Sequence, residues 1–244
     1  MPVAANTSYF YRAFVSNASE TAWATVSKPF ATGPWVLPFD ESCETLEAGD
    51  IQGQRGWEAS TTNAVMVQTN GAYKGIRSGS LRGNGAGAQP VTGTHRFADS
   101  SATNLVWIEM MVKPAFDGES VRTNAAVRFY PSENGCLVAY DGTTPIFLTD
   151  KPVVTSNQWA RFLICADYLH KKWHLWMNGT NMLNHFGFAD TNNNCFARLD
   201  LSQSGTNLSR VDNISIATNR GDMAPFVSIA VQAITNSETN VTIN

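Results

Sequence analysis

The chain has 244 residues, 43% of them hydrophobic but only 15% charged, and a net charge of −3 at pH 7. This length holds one large domain with a real core. The lysines and arginines form no stripe that could displace counterions from a phosphate backbone, which excludes nucleic acid as a partner, and no apolar run approaches the ~20 residues of a membrane-spanning helix, which excludes insertion by that route. The charged fraction lies well under the ~25% of an average soluble domain, and Asn, Thr, Ser and Gly crowd the gaps between apolar runs. That balance suits an extracellular or cell-surface β-protein.

Residues 1–33 open the chain. The first six have neither a charged n-region nor an apolar h-region, so a secreted protein would carry this numbering from after its signal. Residues 7–32 alternate apolar and polar side chains and predict two strands around a short turn, separated from the main domain by a break at Gly33-Pro34. Residues 34–218 form the main domain. Asn70-Gly71, Ser78-Gly79, Asn134-Gly135 and Asp141-Gly142 punctuate it as turns, and Gly83 to Gly87 is a loop; with neither Lys-Ser/Thr nor a helix after it, it is no phosphate loop. Val106, Ile108, Met110 and Val112 share one face of a strand, with Trp107, Glu109 and Met111 on the other. Phe162, Ile164 and Ala166 oppose Arg161, Leu163 and Cys165. Trp173, Leu175 and Met177 alternate with His174 and Trp176, and that strand ends at Asn178-Gly179, a hairpin signal because both residues tolerate positive φ. Several strands are apolar on both faces, as when one face packs a core and the other meets a covering loop or a ligand groove. Nothing carries the i, i+3, i+4, i+7 pattern of a long amphipathic helix. The prediction is an all-β, two-sheet antiparallel sandwich. Residues 219–244 begin at Arg220-Gly221-Asp222, read as a linker turn despite its match to an integrin-binding tripeptide, and continue into strand-like runs at 226–234 and 241–243. Lone hairpins are marginal in water, so each end must pack on the main domain or pair with another chain.

Cys43, Cys136, Cys165 and Cys195 are isolated, with no zinc-type spacing. They read equally as one or two disulfides of a secreted sandwich or as buried thiols. Six sequons, at Asn6, Asn17, Asn178, Asn207, Asn213 and Asn240, are compatible with glycosylation, but an Asn-, Ser- and Thr-rich chain produces such triplets by chance.

Four segments carry a resemblance in order: Phe39-Asp-Glu-Ser through Gly53-Gln-Arg-Gly-Trp57 to Tyr73-Lys-Gly-Ile-Arg-Ser-Gly-Ser-Leu-Arg82; Val154 to Asp167, with Asn157-Gln-Trp159 leading into a strand; Trp173-His-Leu-Trp-Met-Asn-Gly179; and Arg210-Val-Asp-Asn-Ile-Ser-Ile216. Together they resemble the laminin-G-like, concanavalin A-like jelly rolls of large bacterial surface proteins. Residues 1–33, with Tyr9 and Tyr11 near the place of a tyrosine corner, are similar to the last two strands of a fibronectin type III domain, and residues 219–244 more weakly to its first strands. The jelly-roll resemblance implies a structural calcium where first and last strands meet. Asp40, Glu41, Asp212 and Asn213 supply oxygen ligands at those positions, although no consecutive acidic loop is present.

Enzymes of this superfold set the test for catalysis. Jelly-roll glucanases place two carboxylates on one strand as Glu-x-Asp-x-x-Glu, whereas the strand holding Glu109 has no second carboxylate at i+2 or i+4. A lyase would need an Arg, His or Gln and a Tyr converging on a sugar; Arg128, Tyr130, His174 and His185 are available but share no local motif. The leading expectation is a non-catalytic carbohydrate-binding or adhesive module. Trp107, Glu109, His174 and Trp176 project from one side if Val106 and Leu175 face the core, and would give rings for sugar faces and polar groups for hydroxyls. Burial of the tryptophans in the core or under loops is the competing reading. The alternatives are a structural subunit self-associating through its end strands and, third, a polysaccharide-degrading enzyme.

Overall fold

A computed structural model describes residues 8–31, 35–83, 89–98, 104–116 and 124–222. The expected strands at 226–234 and 241–243 and the loop after Gly83 lie outside them. The first strands are β1 (Ser8–Tyr11), β2 (Phe14–Ser16), β3 (Thr21–Trp23) and β4 (Lys28–Ala31). β1 pairs with β4 and β2 with β3, antiparallel. Each of the two strands expected over 7–32 is thus interrupted once. At the tip, Asn17 Oδ1 accepts the N–H groups of Ser19 and Glu20, closing the turn.

The main sheet collects β5 (Phe39–Glu41), β6 (Gly49–Asp50), β8 (Val65–Gln68), β9 (Ser78–Arg82), β11 (Leu105–Lys113), β15 (Ala160–Asp167), β16 (Lys172–Met177), β17 (Thr180–Gly187) and β19 (Leu208–Ala217). Its order is β17-β16-β15-β11-β19-β9-β8-β6, with β5 beside the far end of β19. β16 and β17 meet at the expected hairpin turn, where Asn178 and Gly179 take φ of 50° and 81°. The opposite layer is in two pieces. β7 (Trp57–Ala59), β10 (Val91–Arg96) and β18 (Arg198–Gln203) form one three-stranded sheet, and β12 (Phe129–Pro131), β13 (Leu137–Asp141) and β14 (Thr144–Phe147) form the other. The pairings are antiparallel throughout, and the only helical pieces among the described residues are two short 3-10 turns, at Gln54–Gly56 and Arg220–Asp222. The chain is a two-layer antiparallel β-sandwich of the jelly-roll class. No helix among the described residues is long and apolar enough to cross a membrane.

Alternation explains the core. Val106, Ile108 and Met110 of β11, Phe162, Ile164 and Ala166 of β15, and Trp173, Leu175 and Met177 of β16 are buried on the same side, because side chains two apart on a strand share a face. Phe129 of the opposite layer meets Phe162 and Trp173 across the core, and the Trp173 indole N–H donates to Tyr140 O at 3.2 Å. The four cysteines are free thiols: Cys43, Cys136 and Cys165 are buried and Cys195 is half-buried. The disulfide reading is therefore corrected in favour of buried thiols.

Candidate functional site

Register builds the site on the face of the main sheet that points away from the core. One row across the strands runs Ala217, Trp107, Cys165, His174, and the next runs Asp40, Ser215, Glu109, Leu163, Trp176, Asn181. Trp107 and Trp176 start two strands and two residues apart, about 12 Å at the backbone, and lean together over Leu163 until their ring centres are 6.0 Å apart and their planes differ by 27°. Both rings are half-buried. His174 stacks on Trp176 at 5.9 Å and meets His185 edge-on at 4.6 Å. All four residues expected to bind ligand are brought onto this one face.

Polar groups frame the rings. Glu109 is nearly buried, and Arg161 from the neighbouring strand holds it through two bonds: Nε donates to Oε1 at 2.7 Å and Nη2 to Oε2 at 2.8 Å. This fork fixes both side chains in one geometry. His174 Nδ1 lies 3.2 Å from Asn184 Oδ1, which also accepts the Asn181 amide at 2.9 Å; the Nδ1–H tautomer satisfies that contact. The Arg220 guanidinium lies 5.5 Å from the Trp107 ring centre, so the Arg-Gly-Asp stretch forms a 3-10 turn with its arginine at the rim of the rings. Beneath them, burial pushes the Cys165 thiol up to about 11, with the Asp167 charge adding to the effect, which keeps it a neutral thiol near pH 7. Reading the sequence missed Arg161, Arg220, Asn181 and Asn184. Face parity alone placed Arg161 beside Leu163 and Cys165, the one signal by which it could have been found.

The tryptophans divide between two roles. Trp57 and Trp173 are core residues, Trp159 is half-buried against Tyr73, and Trp107 and Trp176 stand outside the core. Arg128 and Tyr130 line a cleft on the core side of the main sheet, with Arg128 over the Tyr140 ring at 4.1 Å. His174 and His185 lie on its outer side. The four groups considered for lyase chemistry therefore do not converge.

The four residues expected to hold calcium do not all share one face. Asp40 and Glu41 are adjacent on β5 and point to opposite faces: Asp40 is exposed and Glu41 is buried. Asp212 is fully buried, and its two carboxylate oxygens already accept the backbone N–H groups of Tyr73, Lys74 and Asn213 at 3.0, 3.2 and 2.8 Å. Glu41 Oε1 accepts the Cys43 N–H at 2.8 Å, and Arg55 Nη1 stands 3.7 Å from Oε2. Burial raises the pKa of both carboxyls, helped by the Asp212 charge at Glu41 and the Glu44 charge at Asp212, against the Arg55 charge at Glu41 and the backbone donors at Asp212. A cation cage needs six to eight convergent oxygens, and no group of three or more His, Cys, Asp or Glu suited to a metal ion occurs among the described residues.

No protein-family model matches the chain, and neither does any curated protein sequence. Similar solved structures do exist. A sialidase superposes with a TM-score of 0.56 at 8% identity over 87% of this chain, which spans only 21% of the sialidase. An alginate lyase variant in complex with alginate tetrasaccharide gives 0.50 at 9% identity, covering 75% of this chain and 97% of the lyase. A second variant of that lyase, with alginate trisaccharide, also gives 0.50, at 10% identity over 76% and 100% of the two chains. The likeness of residues 1–33 to fibronectin type III strands receives no support from these matches. At such low identity they show one thing in common with this chain, the β-sandwich fold.

Proposed function

We propose that this chain is a non-catalytic, concanavalin A-like carbohydrate-binding module that works outside the cell and receives a glycan across the outer face of its main sheet. The observation that carries the reading is the pair of near-parallel, half-exposed indoles of Trp107 and Trp176 framed by the Glu109–Arg161 fork, His174 and Asn181. Indole faces take the C–H-rich side of a pyranose, and fixed polar side chains at the edge take its hydroxyls. A forked ion pair locked across two strands adds preorganisation, which lowers the ordering cost of binding. The alginate complexes of the lyases with this fold make acidic oligosaccharides the first to screen. A glycan array on the wild-type protein, followed by calorimetry with Trp176→Ala, tests the reading. Loss of at least about tenfold in affinity, ~1.4 kcal/mol, with unchanged Tm supports it. No binding to any glycan, or full affinity in the variant, refutes it.

A second reading rests on a different observation. The N-terminal strands leave Phe10, Phe14, Val15, Trp23 and Val26 exposed, and the Phe14 and Trp23 rings pack on each other at 4.9 Å. Such a surface, with two-stranded sheets that offer unpaired edges, suits assembly between chains. Light-scattering mass of the full chain and of a chain lacking residues 1–33 decides it: an assembly lost on truncation supports a structural subunit, and a monomer in both cases removes it.

A further inference from the structure

Strand parity on the outer face leads to a second aromatic pair. On β11 that face is held by Trp107, Glu109, Met111 and Lys113, and on the neighbouring β15 by Cys165, Leu163 and Arg161, so the next position on the same side is Trp159, at the entry to β15. Trp159 is four residues, about 13 Å, from Leu163, over which Trp107 and Trp176 meet. A loop brings it a partner ring. The backbone N–H groups of Tyr73 and Lys74 donate to Asp212 Oδ2 at 3.0 and 3.2 Å, and Arg210 Nη1 and Nη2 donate to Asn70 Oδ1 at 3.2 and 3.3 Å, which ties residues 70–74 to β19. There the Tyr73 ring meets Trp159 edge-on, with ring centres 5.7 Å apart. Met111, on the same side of β11, is 4% exposed although it stands outside the core cluster, as expected beneath this cover. Tyr73 remains 37% exposed and Trp159 is half-buried, so the pair is open to solvent.

The outer face thus carries a ring pair at each end and the Glu109–Arg161 fork between them. No single sugar ring covers that distance, whereas consecutive sugars of one chain do. Once one end of such a chain is held, contact at the other end is an intramolecular step, so the two ends reinforce each other. We infer that Tyr73 and Trp159 form a second sugar subsite, and that the ligand of this face is an internal segment of a long polysaccharide, running beside β15 from Trp107 and Trp176 to Trp159, rather than a terminal sugar or a disaccharide. This second subsite rests on the glycan reading of the outer face, to which it adds a length requirement.

The test uses the whole chain. Affinity electrophoresis through gels containing alginate, xylan, arabinan or a soluble β-glucan selects a polysaccharide, and its di-, tetra- and hexasaccharides are then titrated by calorimetry. The hexasaccharide should bind at least about tenfold tighter than the disaccharide, the gain of one further ring contact. Trp159→Ala should bring that ratio down to about one while circular dichroism stays native, whereas Trp176→Ala should weaken both ligands. Tyr73→Ala, in a loop whose bonds to Asp212 come from the backbone, should also reduce the ratio, and it decides the matter should Trp159→Ala not fold. Equal affinity of the wild type for disaccharide and hexasaccharide, an unchanged ratio in either folded variant, or glycan-array binding without retardation in any gel overturns the second subsite and leaves the Trp107–Trp176 platform standing. An empty glycan array with no retardation in any gel removes the platform and the subsite together.

Discussion

His95 gives the sharpest test of the core packing. It sits on β10 with none of its surface exposed, inside a cage of Trp35, Phe39, Trp57 and Phe97 whose ring centres lie 5.4, 4.4, 5.2 and 4.6 Å away. Its Nε2 lies 3.0 Å from Arg55 O, and Nδ1 is buried with no hydrogen-bond partner. Burial lowers its pKa from 6.5 to about 4; the bond to Arg55 O and the Glu58 charge oppose the shift and the Arg55 charge adds to it. Because the folded value is depressed, the native ring stays neutral while the unfolded chain takes up a proton, so stability is lost as pH falls from about 6.5 to about 4. A gap of about 2.5 units at 1.36 kcal/mol each makes that loss about 3 kcal/mol. Glu41 and Asp212 act in the opposite sense: their raised folded pKa values mean that protonation stabilises the native state as pH falls through them. The variant His95→Phe keeps an aromatic ring in the cage and removes the titration, so the difference between wild type and variant isolates His95. Urea unfolding at pH 7, 6, 5 and 4 should show the wild type losing about 3 kcal/mol relative to the variant across that range. Parallel stability curves would refute the burial argument.

Three further outcomes rest on named contacts. Arg161→Ala leaves the nearly buried Glu109 without its fork and should cost about 2 kcal/mol, a fall in Tm of roughly 4–8 °C for a chain of this size; the double change Arg161→Met with Glu109→Gln should recover part of it, as thermal unfolding will show. Chelating calcium with EGTA should leave Tm unchanged, since Asp40 and Glu41 face apart and the oxygens of Asp212 are taken by backbone donors; a clear drop in Tm would restore the cation site. All four cysteines should react with a thiol reagent after denaturation without reductant, and reductant should not change Tm; two or fewer reactive thiols would show a disulfide.

Much of this architecture is local chemistry, and for that reason it was legible in the sequence. The period-two alternation of Val106, Ile108 and Met110 against Trp107 and Glu109 assigns faces without any partner strand, and Asn178-Gly179 marks a hairpin because its backbone must adopt positive φ. The same parity, applied to Asp40 and Glu41, already sends neighbouring carboxylates to opposite sides of a strand and argues against a shared cation. Other features depend on which strands become neighbours, and local pattern carries no information about that. Arg161 meets Glu109 across 52 positions of chain only because β15 pairs with β11 in one register, and a slip of one residue would turn it to the opposite face. His95 reads as an ordinary strand residue until Trp35, Phe39 and Trp57 from elsewhere in the chain, with Phe97 two positions on, close around it. The sequence by itself determined the two faces of β11, β15 and β16 and the turn that ends β16; the tertiary structure alone decided that two indoles would meet outside the core and that the opposing layer would part, because strand order and register arise from long-range burial rather than from any run of residues.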